Sequence, residues 1–364
     1  MTTTTFPSLT EVLERIAAVE HVIQEKPTAA EQIDRAVATA VREGLSGAQK
    51  KLPPWLFYDR TGSRLFDEIT ERPEYYLTRT ERGILAAHAK TMIERAADGR
   101  RLRITELGAG SAEKTRLLLR AAVAQQGQVT YEPLDVSASA LELAKSGIES
   151  EIPDVTVYPK VMDYTRQSGR RKRGIHLAQS SDSDTGIDFE YLPVGERRLV
   201  LYIGSSIGNF EPHEAQRILR SVRAGLKQGD GLLLGIDLVK DRSDLLAAYD
   251  DFAGVTADFN LNMLARLNRE LDAEFTLDSF EHRAIWNEKE SRIEMHLESR
   301  VAQKVAIAAL NMEVSFAQGE TIHTECSYKY AQGQAEAMLK DAGFAEAENW
   351  TDERGWFNVC LALA

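Results

Sequence analysis

Several short stretches carry side chains whose types and spacing suit chemistry. Glu106-Leu107-Gly108-Ala109-Gly110-Ser111 follows an apolar run and precedes a helical one. Glycines at such a point let the chain turn sharply and let a ligand approach the backbone. A dinucleotide fingerprint would place a third glycine three residues after Gly110, where this chain has Glu113, so the pyrophosphate cradle is incomplete. Asp135 closes the next apolar run, 27 residues after Gly108. A carboxylate there suits a pair of ribose hydroxyls, or else caps the following helix. Asp163 and Tyr164 end a third run and suit an adenine amino group and ring face. In Gly204-Ser205-Ser206-Ile207-Gly208-Asn209-Phe210, the Asn209 carbonyl oxygen can accept N–H bonds from an amine. Asn209 equally suits a cap before a helix at Pro212. Glu325 and Ser327 are two apart, so in an extended segment they share a face. That face either recognises a ring N–H or meets solvent. Ile293, Met295 and Leu297 make an apolar strand face, with Met295 as core. Glu294, His296 and Glu298 make the opposite face, which reads as solvated rather than as a metal site.

The E-L-G-x-G form is common in adenosylmethionine-dependent methyltransferases, which have no pyrophosphate to cradle. Loop, Asp135 and Asp163-Tyr164 fall in the expected order on successive strands. Together they favour S-adenosyl-L-methionine over a nicotinamide cofactor. There is no HExxH pair, no G-x-S-x-G elbow and no Walker loop, and no metal is expected.

Elements must position these residues. Apolar residues from Leu9 to Ile23 recur at helical spacing, and 30–49 reads as a second helix ending near Gly44 or Gly47. The segment from Lys50 to Glu81, rich in Pro, aromatics and charge, has no long period and reads as an irregular wrap. From 80 onward, strands and helices alternate, which implies α/β architecture with a parallel, doubly wound sheet. The segment 166–190, with its Arg170–Arg173 run, reads as a surface insertion. Residues 240–276 are mostly helical, and 280–316 alternate like antiparallel strands. A helix at 331–342 and a final strand complete the chain. The expected division is 1–78 (helical, part of a substrate domain), 79–239 (cofactor domain), 240–328 (substrate domain) and 329–364 (elements returning to the cofactor domain).

The chain has 364 residues and a net charge of −12. That balance disfavours bulk binding to nucleic acid or anionic lipid. Cys326 and Cys360 are too few for a disulfide framework. No apolar run approaches a membrane span, and no basic-then-apolar leader appears at the start. A cytoplasmic monomer is expected.

LPPWLFYDRTGSRLFDEITERPEYYLTRTE, ELGAGSAEKT, YEPLDVS, GSSIGNF, AYDDFAGVTADFNLNMLARLNRELDAEF, IEMHLES and TECSYKY together resemble one family. It is the histidine-specific Nα-methyltransferases of ergothioneine biosynthesis, and the resemblance runs from about residue 45 to the C-terminus. It implies a Rossmann-like class I methyltransferase sheet with a second, α+β substrate domain. Carried over, Gly108, Lys114, Asp135, Asp163 and Tyr164 would hold adenosylmethionine, with Tyr164 where Phe is common. Tyr75, Asn209 and Tyr249 would hold the amino-acid end of L-histidine, and Tyr58 would lie near its α-amine. Glu325 and Ser327 would bind the imidazole, with Met295 beside it. The implied reaction is three methyl transfers to that amine, giving hercynine. Alternatives are N-methylation of tryptophan or an indole, a non-catalytic adenosylmethionine or imidazole sensor, and a nicotinamide oxidoreductase.

Overall fold

The computed structural model describes residues 29–162, 164, 187 and 189–364. The helical repeat over Leu9–Ile23, Asp163 and the Arg170–Arg173 run lie outside the described residues. The first helix, α1 (Ala29–Leu45), stops at Gly44 and Leu45, as its sequence predicts. It leads to β1 (Lys50–Lys51), a 3-10 turn (Pro54–Phe57), α2 (Arg60–Thr70) and α3 (Tyr76–Ala97).

The aperiodic reading of 50–81 needs correction, because α2 lies within it. Asp59 starts that helix, its Oδ1 accepting the Gly62 N–H at 2.6 Å. An Asp at this position satisfies an otherwise orphaned amide. Leu65, Phe66 and Ile69 then turn toward a core. Only three helical turns are present, too few for the period to stand out among prolines and charges.

The main body alternates β2 (Arg101–Leu107), α4 (Thr115–Gln126), β3 (Val129–Asp135), α5 (Ala138–Glu151), β4 (Val155–Val157), β5 (Lys160–Val161), β6 (Glu196–Tyr202), α6 (Pro212–Gly225) and β7 (Gly231–Asp237). The third predicted strand is thus split between β4 and β5 at Tyr158-Pro159, where proline has no N–H for a ladder. Next come α7 (Arg242–Ala247), α8 (Val255–Leu271), β8 (Phe280–Asn287), β9 (Arg292–Ser299), β10 (Gln303–Ile307), β11 (Met312–Phe316) and β12 (Thr321–Tyr328). The chain closes with α9 (Gln334–Asp341), β13 (Glu346–Thr351) and β14 (Phe357–Leu363). β13 escapes sequence reading because five of its six residues are exposed, so no apolar pattern marks it.

The large sheet runs β13-β14-β7-β6-β2-β3-β4, with β5 also on β3. The strands from β7 to β4 are parallel, and β14 enters antiparallel between β7 and β13. This is a Rossmann-like, mostly parallel sheet, as the resemblance implies. Its strands are continuously apolar because both faces are covered, and every residue of β7 is buried. Leu199 and Leu201 pack with α3, α4 and α5 on one face. Val200 and Tyr202 pack with α6 and α9 on the other. Ile187 is buried in that second core and Phe189 packs beside it, so the described end of the 166–190 segment turns inward.

A separate core gathers α1, α2, α8 and the sheet β1-β12-β9-β8. Here β1 pairs parallel to β12, tying the N-terminal segment to the strand that carries Glu325 and Ser327. No described helix is long and apolar enough to cross a membrane.

Candidate active site

The glycine loop at the end of β2 forms as its sequence predicts. Gly108 has φ 68°, and its N–H donates to the Leu134 carbonyl at 2.8 Å. A β-carbon there would also stand 3.2 Å from the Tyr164 hydroxyl. The torsion favours glycine, and a side chain there would also crowd the Tyr164 hydroxyl. Asp135 sits at the end of β3, where its Oδ2 accepts the Gly110 N–H at 3.1 Å and its Oδ1 the Ser137 N–H at 2.9 Å. Loop, Asp135 and Tyr164 are thus brought together. Glu106 anchors the loop from below, accepting from Thr115 Oγ1 at 2.8 Å and from the Tyr131 hydroxyl. Burial pushes its carboxyl up to about 7, against the pull of those hydrogen bonds.

Lys114 pairs with Glu81, a fully buried carboxylate on α3. Glu81 also accepts the Gly204 N–H at 2.8 Å, at the end of β6. Sequence reading missed Glu81. The available signal was a carboxylate on the buried stripe Leu77, Glu81, Ile84, Leu85.

The second half of the site lies on β12. Its register faces Glu325 to Met295 and Ser327 to Ile293 of β9, after an irregularity between His323 and Glu325. Met295 is buried core, in register also with Ala284 of β8. The Ser327 Oγ lies 2.7 Å from the Tyr249 hydroxyl. Tyr75 meets Tyr249 edge-on, ring centres 6.3 Å apart, and Phe66 bridges Tyr75 to Tyr58 in the same manner. Asn209 ends the 3-10 turn Ser206–Asn209, and its carbonyl takes the Cys326 thiol at 3.5 Å. Gly208 seats that turn on β12, since a β-carbon there would lie 2.9 Å from the Tyr328 carbonyl oxygen.

Among the described residues the Glu325 carboxylate accepts no hydrogen bond. Burial pushes it up to about 7, while Lys329 pulls the other way. Tyr58 is also held protonated, first by burial and then by the negative field of Glu325, with Tyr75, Asp135 and Tyr164 adding to it. Charges of both the β12 strand and the glycine-loop side thus act on the Tyr58 hydroxyl. Burial and the charges of Asp237 and Glu325 likewise keep Tyr249 a phenol.

The Glu294/His296/Glu298 face departs from its solvated reading. His296 is buried, stacked on His323 at 4.9 Å, and reaches Glu294 at 3.2 Å. Glu294 is drawn down to about 2: burial opposes the shift, but Asn287, Arg292 and His296 outweigh it. The His323 ring of β12 thus shields His296 while Glu294 and Glu298 stay partly exposed, which strand alternation could not reveal. Among the described residues no cluster of His, Cys, Asp and Glu could hold a metal ion. Sequence reading also missed Lys329, Asp237, Tyr76 and Lys240, which form a buried network beside Tyr249 and Ser327.

Residues 37–364 match a family profile described as histidine-specific methyltransferase, SAM-dependent. The histidine N-alpha-methyltransferase of Mycolicibacterium smegmatis is 43% identical over 92% of this chain and 97% of its own. That of Mycobacterium tuberculosis is 41% identical over 88% and 93%. An L-tryptophan methyltransferase of Psilocybe serbica is 26% identical over 88% and 90%. With the profile spanning nearly all described residues, the chain belongs to the adenosylmethionine-dependent, histidine-specific methyltransferases.

Proposed function

We propose that this protein transfers three methyl groups from S-adenosyl-L-methionine to the α-amine of L-histidine, giving hercynine. The observation that carries the acceptor is the Glu325 carboxylate, half-buried and, among the described residues, without a hydrogen-bond donor. A buried carboxylate is costly unless paired. An imidazole N–H supplies the missing donor, and the adjacent Ser327 hydroxyl suits the other ring nitrogen. An indole offers a single N–H and would leave one of the two unpaired. Met295 packs beside the ring. Tyr75, Asn209 and Tyr249 hold the amino-acid end, and Tyr58 lies by the amine.

Gly108, Lys114, Asp135, Asp163 and Tyr164 are the residues we assign to adenosylmethionine. The geometry fits: a glycine loop bare of side chains, a strand-end carboxylate for ribose and an aromatic ring over the loop. When bound, adenosylmethionine supplies an electrophilic methyl group. The chain's own part is alignment, holding the amine lone pair on the line of attack. Asn209 does this by accepting amine N–H bonds through its carbonyl oxygen. The amine must lose its proton before each transfer. Tyr58 stays a phenol, so it accepts or passes a hydrogen bond and does not serve as a phenolate base. As methyl groups accumulate, the cationic ammonium rests against Tyr58 and Tyr75, a cation–π setting worth about 0.5–2 kcal/mol.

The separate core under the small sheet, apart from the two that flank the large one, supports a division into a cofactor domain and a substrate domain. The latter is built from the N-terminal segment and 240–328. We infer a cytoplasmic monomer that binds neither nucleic acid nor membrane.

The test is mass spectrometry of purified protein with adenosylmethionine and an equimolar mixture of the twenty amino acids. Three added methyl groups on histidine alone are expected. Methylated tryptophan instead would overturn the reading of Glu325 and Ser327, and no methylated amino acid would overturn the reaction.

A further inference from the structure

Lys329 lies one residue past β12, with its side chain fully buried. Its Nζ is 2.8 Å from Ser327 Oγ, 2.9 Å from the Tyr249 hydroxyl and 2.8 Å from Asp237 Oδ2. Its backbone is fixed as well. The Lys329 N–H donates to the Ser291 carbonyl at 2.8 Å, and the Ser291 hydroxyl donates to the Lys329 carbonyl at 3.0 Å. Asp237, at the end of β7, has further partners. Its Oδ2 accepts from the Tyr76 hydroxyl at 2.7 Å and its Oδ1 from Lys240 at 2.5 Å.

Counting protons shows what this arrangement does. An ammonium has three N–H donors and no lone pair. Two of them go to Tyr249 and Ser327, and the charge is paired with Asp237. The two hydroxyls are also bonded to each other, so one of their two protons lies between them. A single proton remains to offer a ligand. The oxygen that bears it already accepts two bonds, from Lys329 and from its partner hydroxyl, and has no lone pair left. Tyr249 and Ser327 therefore act as one donor, and a proton given at one end is not available at the other.

We propose that Lys329 is a positioning residue of the acceptor site, holding the Tyr249 and Ser327 hydroxyls as one unit with a single proton to give. The proposal rests on the assignment of those two hydroxyls to histidine. Lys329 touches no reacting atom. It acts on histidine through the pair, and its side chain bonds to none of the residues assigned to adenosylmethionine. Replacing it orphans no charge, because Asp237 keeps Lys240 and Tyr76.

The experiment is a double-mutant cycle of K329M and S327A. It reads kcat and KM for histidine, and adenosylmethionine affinity by titration. K329M alone should raise the histidine KM about tenfold or more, with adenosylmethionine affinity changed less than about twofold. In the S327A background the added cost of K329M should fall below about threefold, because the unit is already broken. Equal costs in both backgrounds would overturn the proposal. So would a parallel loss of adenosylmethionine affinity, or an unchanged histidine KM in K329M. An S327A variant with unchanged histidine KM would remove the assignment of the pair to histidine, and the proposal with it. Should K329M fail to fold by circular dichroism, K329R carries the same cycle. Arginine keeps the charge beside Asp237 but cannot set one nitrogen on all three oxygens, so the same non-additivity is expected.

Discussion

The Glu81 carboxylate occupies the place where a side chain on Gly235 would begin. One backbone position on β7 thus admits the carboxylate that holds Lys114 and the Gly204 amide. Alanine at 235 must push Glu81 aside, a form of overpacking that costs about 1–3 kcal/mol. Gly235→Ala is expected to lower the melting temperature. It should also weaken adenosylmethionine binding about tenfold, through Lys114 and the Gly204 loop. Thermal melts and a cofactor titration check both effects, and unchanged cofactor affinity would sink the link.

Glu325→Gln should separate stability from binding. The folded-state pKa of about 7 lies above the ordinary 4.5. The folded protein therefore holds the extra proton between those values, and its stability falls as pH rises through that window. Glutamine has no proton to lose. The ligand-free variant should be more stable than the parent at pH 8, by on the order of 1–3 kcal/mol, and about equal at pH 4. Its histidine KM should rise at least about tenfold. Denaturant melts at the two pH values decide the first point. A variant less stable at pH 8 would contradict it.

Histidine affinity should follow the same group. Protonation of Glu325 removes the acceptor for the ring N–H, so affinity falls as pH drops through about 7. In Glu325→Gln that dependence should flatten. Calorimetric titration of histidine from pH 6 to 8.5 makes the comparison, and identical profiles would assign the titration elsewhere.

Tyr58→Phe leaves the rings of Phe66 and Phe259 their edge-on neighbour and deletes only the hydroxyl. A drop of about 10²-fold in kcat is expected, of the size seen when a proton-handling group is removed, with adenosylmethionine affinity retained. Single-turnover kinetics provide the readout. A change confined to KM would move Tyr58 from the amine to a purely binding role.

Gly108 and Asp135 were legible in the sequence because each closes an apolar run with a residue that a buried strand would not choose. Glu325 and Ser327 were legible as a pair sharing a strand face, though only the family resemblance separated recognition from solvation. Lys329 was not legible. Its partners Asp237 and Tyr249 come from distant segments, and the bridge between Leu238 and Tyr330, just past β7 and β12, is what brings Lys329 to Asp237. The partly shielded Glu294-His296 face was misread for a related reason. Alternation reports which residues share a side, and says nothing of what is later laid over it. The short α2 and the exposed β13 lacked the length or the apolar pattern that periodicity needs.

The turn carrying Asn209 rests directly on β12, Gly208 against the Tyr328 backbone. Main chain meets main chain there, with the Cys326 thiol bonded to the Asn209 carbonyl beside it. On the proposed acceptor assignment, that backbone contact sets the separation between the amine end and the ring end. On the proposed assignment of Asn209 and Glu325, the site would work as a calliper: besides the chemistry at each end it would gauge the span between them, and a homologue of histidine one methylene longer would fit one jaw or the other.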